Sequence, residues 1–90
     1  MTTYEFGDIL LIGFPHTDLV GVSKRPALAL YDQCDRDVLL ARITTQAYDT
    51  ESDYRILQWK SSGLIAESYV RLGKLASIEK VNVIRKLGSL

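Results

Sequence analysis

Three stretches of this 90-residue chain carry side chains able to hold a phosphate or move a proton. The first is Ser23 to Tyr31, SKRPALALY, where Lys24 and Arg25 stand directly before Pro26 and an apolar run. The proline fixes its own φ and lacks a backbone donor, so it suits the first position of a strand better than its middle. Its ring also drives Arg25 into extended backbone. A guanidinium mounted in this way at a strand mouth suits phosphate binding or catalysis. An ordinary solvated arginine ahead of a strand fits the same residues. The second stretch is VLLARITT, Val38 to Thr45. Strand alternation gives one wholly apolar face, Leu39, Ala41 and Ile43, which should meet the core. The other face starts with Val38 and Leu40 and ends with Arg42 and Thr44 side by side. The third stretch is the polar loop after Pro15, with His16, the only histidine, and Asp18. His16 is the one side chain whose ordinary pKa lies near neutrality, and Asp18 is a second proton-transfer candidate. Loop packing and loop capping are their structural alternatives.

Several chemistries are disfavoured at once. The single Cys34 excludes an internal disulfide and a cysteine-based zinc site, which makes a reducing cytoplasm the natural compartment. It lies in YDQCDRD, among acids that would raise its pKa and blunt it as a nucleophile. No grouping of His, Cys and carboxylates has metal-ligand spacing, so neither a metal nor another cofactor is expected. The N-terminus, MTTYEFGD, lacks the pattern of a signal peptide, and no apolar run approaches the roughly 18 residues of a membrane helix. Eleven cations balance eleven acids, which argues against a generic nucleic-acid coat. The balance is uneven, however. Residues 1–20 hold three acids and no Lys or Arg, whereas residues 68–90 hold Arg71, Lys74, Lys80, Arg85 and Lys86 against Glu79.

The elements that must position these residues are short strands. Ile9 to Phe14 reads as a strand buried on both faces and ended by Pro15, with an exposed loop from His16 to Lys24. Ala27 to Tyr31 and Val38 to Thr45 follow, separated by the polar turn Asp32–Asp37. After a polar loop, Gln46 to Asp53, come Tyr54 to Trp59 and Ser68 to Leu75, divided by Ser61-Ser62-Gly63. A helical turn from Ser77 is expected to lead into a last strand around Val83 to Lys86. Five or six short strands with little helix argue for one mainly β domain over residues 1–90, a small barrel or rolled sheet.

The segments GDILLIGFPHTDLVGVSKRPALAL, VLLARITTQ, GLIAESYVRLGKLASIEK and VIRKLGSL resemble the MazF/PemK family of type II toxin–antitoxin toxins, in its PemK-like branch. The match runs from Gly7 to the end of the chain. The resemblance implies a small SH3-like barrel of the CcdB/MazF type with short helical turns, and a homodimer. It implies metal-independent, sequence-specific cleavage of single-stranded RNA, with the RNA 2′-hydroxyl as nucleophile and a cyclic phosphate as product. A cognate antitoxin would be the partner, and no membrane is involved. Carried over by motif, the arginine of the R-P strand entry is Arg25 and the threonine of the I-T strand end is Thr44. These are the two residues expected to be catalytic. Lys24, Arg42, Thr45 and Arg71 are expected to contact RNA phosphates, and His16 or Asp18 to serve as acid or base. Where some family members carry an acid two residues after the arginine of the fifth-strand motif, this chain has Gly73. The usual C-terminal helix is expected to be missing after IRKLGSL. A barrel that binds nucleic acid or an antitoxin-like partner without turnover is the alternative. The related gyrase-poisoning toxins, which share the barrel, fit less well because the R-P and I-T pair is present.

Overall fold

The computed structural model describes residues 2–15, 22–32, 34–46 and 53–90. Six strands form one antiparallel sheet: β1 (Asp8–Pro15), β2 (Val22–Asp32), β3 (Asp37–Thr44), β4 (Asp53–Ile56), β5 (Ser68–Glu79) and β6 (Val83–Ser89). A 3-10 turn, Lys80–Asn82, joins the last two. The strand order is β4-β5-β3-β2-β1-β6, so the mainly β architecture expected from the sequence is the one found. Among the described residues, no helix is long and apolar enough to cross a membrane.

Strand limits differ from expectation where tertiary pairing overrides local signals. β2 begins at Val22, because Val22 to Pro26 continue to pair with β1, from Pro15 to Leu11, beyond the end of β3. Pro26 therefore lies inside a strand rather than at its first position. Its missing donor is tolerated at the point where the β2–β3 ladder stops, one residue on, at Ala27–Arg42. β5 continues to Glu79 and no helical turn starts at Ser77, since Ser77 pairs with Leu39 and Glu79 with Asp37. β4 stops at Ile56 rather than Trp59. The following residues fold into turns, in which the Ser62 N–H donates to the Gln58 carbonyl and the Leu64 N–H to the Trp59 carbonyl.

Both faces of the sheet carry a core. Ile9, Leu28, Ala41, Ile43, Ile56, Leu64 and Val70 form one, with Trp59 and Leu87 packed against it. Leu10, Ile12, Ala27, Ala29, Val38 and Leu40 form the other, under Tyr4, Ile78 and Val83. The Leu39, Ala41 and Ile43 face of β3 was expected to meet the core along its length; Ala41 and Ile43 do, but Leu39 is only half-buried. Val38 and Leu40, on the opposite face, are as buried as Ala41 and Ile43, with Ile78, opposite Val38 on β5, and Val83 of β6 packed against their core. Closure at the β4–β6 gap comes from backbone contact. A Cβ at Gly63 would overlap the Leu87 carbonyl, and one at Gly88 would overlap the Ser62 carbonyl. Glycine at both positions lets the β4–β5 connection press against β6.

A buried carboxylate fastens the far end. The Asp32 side chain, 2% exposed, lies 2.8 Å from Lys80 Nζ and accepts the N–H groups of Tyr4 and Cys34, both at 2.7 Å. The lysine bond, then the Tyr4 N–H, holds its carboxyl down at about 2, against the opposing effect of burial. Cys34 has a positive φ of 64° and is exposed.

A candidate RNA-binding groove

Residues directly opposite on antiparallel strands share a face, so the ladder registers map the site. One row across the sheet runs Asp53, Arg71, Arg42, Ala27, Leu10. In the next row, Arg55 faces Tyr69 and Tyr69 faces Thr44. Arg25 pairs with Ile12 in that same row. The β2–β3 ladder has ended there, but its register, continued by two residues from Ala27–Arg42, sets Arg25 against Thr44. Arg25, Arg42 and Thr44 thus share one end of one face, where the Leu10–Ala27 core layer gives way to polar groups. Thr44 is half-buried, and its Oγ1 accepts the Gln46 N–H at 3.2 Å.

Beside this corner lies a groove of ≈ 380 Å³. Arg25, Arg42 and Lys74 are its cations, and Pro26, Ala27, Leu40, Leu75, Ala76 and Ile78 make up the rest of its lining. The volume falls at the lower end of what small-molecule and nucleotide sites occupy. Among the described residues, no carboxylate partners Arg25, Arg42 or Lys74. The other cations of this face are neutralised. Arg71 Nε lies 3.3 Å from Asp53 Oδ1, with the two side chains 15% and 6% exposed. Arg55 Nε lies 2.6 Å from Glu67 Oε1, to which the Tyr69 hydroxyl also donates at 3.3 Å. Arg71 stands directly opposite Arg42, a like-charge pairing that would destabilise the sheet without Asp53.

The remaining sequence candidates are distributed as follows. Lys24 is exposed and adjoins Arg25 along the strand, so alternation turns it to the other face. Thr45 is exposed just past the end of β3. His16 and Asp18 lie outside the described residues. Among the described residues, no three His, Cys, Asp or Glu side chains gather as metal ligands.

Two residues of the site were missed from the sequence. Asp53, assigned to a loop, opens β4 and holds Arg71. Lys74 was counted only as part of the basic C-terminal segment. Its register is irregular: Ala41 pairs with Leu75 but Arg42 with Arg71, so Leu72, Gly73 and Lys74 bulge out of the ladder. An isolated glycine inside a strand pattern was the signal for this bulge.

No family model and no curated protein sequence matches the chain. The solved structure of the Mycobacterium tuberculosis toxin MazF-mt6 is similar to it, with a TM-score of 0.75 and 22% sequence identity. The likeness covers 92% of this chain and 79% of that one. The chain therefore has the fold of a MazF toxin, as its sequence motifs led one to expect.

Proposed function

We propose that the chain is the toxin of a type II toxin–antitoxin pair. It cleaves single-stranded RNA at specific sequences, without a metal. The observation that carries this reading is the groove whose three cations, Arg25, Arg42 and Lys74, have no carboxylate partner among the described residues, with Thr44 on the same face of a MazF-like fold as Arg25. In the proposed reaction, the RNA 2′-hydroxyl gives up its proton and attacks the adjacent phosphorus. The bond to the 5′-oxygen breaks, that oxygen takes up a proton, and a 2′,3′-cyclic phosphate remains. The protein's task is to hold these atoms in line and to stabilise charge growing on the phosphoryl oxygens.

Arg25 suits that task because its planar guanidinium donates two charge-assisted bonds to one phosphate and stays protonated throughout. Thr44 donates its hydroxyl to the same group, and Arg42 holds the strand alongside. Lys24, Thr45 and Arg71 are weaker contacts in this scheme, for the positional reasons given above. The proton acceptor is assigned to the first loop, to His16 or Asp18, since no described acid or imidazole lines the groove. The active form is a cytoplasmic homodimer, and an antitoxin segment of opposite charge silences it by occupying the same groove.

The reading is tested by incubating the purified protein with single-stranded RNA and with DNA of the same sequence, in EDTA. Cleavage of RNA alone is expected, since DNA lacks the nucleophile. RNA binding with no new ends would instead support a barrel that binds without turnover.

A further inference from the structure

We infer that Lys74 is a phosphate-binding residue of the groove, holding a phosphate next to the scissile one. The inference rests on the nuclease reading and extends it to a residue that the motifs did not single out. Regular alternation along β5 would leave Arg71, opposite Arg42, as the strand's cation on this face. Arg71 is already engaged by Asp53, in a nearly buried pair. The Leu72–Lys74 bulge supplies a second cation from the same strand and delivers it to the groove lining. Re-aiming a side chain is what bulges beside functional sites do.

Lys74 is exposed, and among the described residues no ion pair engages it. It therefore keeps its charge for a ligand. It also reaches the groove from β5, whereas Arg25 comes from β2 and Arg42 from β3. Cations from three strands around Ala27, Leu40, Ala76 and Ile78 match a ligand with more than one anionic group and an apolar part between them. A stretch of single-stranded RNA, with successive phosphates and a base, has that chemistry. A lysine acts on phosphate as a point charge, so its contribution is to binding and register rather than to transition-state geometry.

The test uses a 2′-O-methyl RNA oligonucleotide, which binds but cannot be cut, titrated over a range of salt concentrations. Each phosphate contact contributes about 0.7 to the slope of log affinity against log salt for a single strand. Lys74→Gln is expected to lower that slope by about 0.7, and Lys74→Arg to preserve it. With cleavable RNA, Lys74→Gln should raise KM several-fold and leave kcat near the unsubstituted value. An unchanged slope in Lys74→Gln, in a protein that cuts RNA, overturns the Lys74 assignment alone. If the unsubstituted protein neither binds nor cuts RNA, the nuclease reading fails and this inference fails with it.

Discussion

At the scale of single residues, the alignment of Arg25 with Thr44, two residues past the end of the β2–β3 ladder, is the informative geometry. Neither position is unusual alone: one is an exposed arginine, the other a half-buried threonine at a strand end. Register joins them, and Arg42 lies one row away on the same face. On the proposed chemistry, the Thr44 hydroxyl bonds to a charged phosphate oxygen, an interaction worth about 1.5–3 kcal/mol. Thr44→Val should therefore lower kcat roughly tenfold to a hundredfold, and Thr44→Ser should recover most of it. Single-turnover cleavage rates, with thermal unfolding as a control for the lost Gln46 contact, check this. The place of Thr44 beside Arg42 at the polar end of β3 was legible in the sequence because strand alternation is local, whereas Arg25, expected ahead of a strand, lies inside one because Val22 to Pro26 pair with β1. Lys74 was not legible, because three bulged residues break the parity on which alternation depends. Asp53 was hidden for another reason: its strand is only four residues long, DYRI, and is defined by pairing with β5 rather than by its own pattern.

At the scale of elements, the sheet is organised by β3, which carries Arg42 and Thr44 at one end and buried Val38, Leu40 and Ala41 before them. In its first half the buried face is that of Val38 and Leu40, whereas Leu39, on the face expected to be apolar throughout, is only half-buried. The Val38–Leu40 face is a core face because Ile78, opposite Val38 on β5, and Val83, just past the β5–β6 link, pack against it, a consequence of topology that no window of β3 contains. Asp32 and Lys80 fasten that link, at the end of β2 and the start of the turn. The Asp32 carboxyl titrates at about 2 in the folded chain against an ordinary 3.8. A lowered folded-state pKa means that this contribution to stability is complete above about pH 4 and is lost as pH falls through about 2. Urea unfolding between pH 5 and 2 should accordingly show stability falling across that window by linkage at about these values. Asp32→Asn, though less stable at neutral pH, should show a shallower acid slope. An unchanged slope would place the proton uptake at other carboxylates.

At the scale of the whole molecule, the fold is held by two cores around one curled sheet, and the groove opens where one core layer runs out. The short-strand spacing and turn signals were enough to anticipate a mainly β barrel from the sequence. The glycine contact that closes it was not anticipated, because the Gly63–Gly88 approach joins residues far apart in the chain. This construction leaves Arg25 and Thr44 on neighbouring strands of one sheet, which suits a reaction that needs in-line positioning. The central claim is that the protein, through Arg25, makes the RNA attack itself. The most direct measurement maps the chemistry of the new RNA ends in EDTA, for the unsubstituted protein and for Arg25→Ala. The account predicts 2′,3′-cyclic phosphate and 5′-hydroxyl ends, formed about a hundredfold to a thousandfold more slowly by Arg25→Ala, the usual loss for one transition-state donor. Equal rates for the two proteins, or ends carrying a 5′-phosphate, would contradict it.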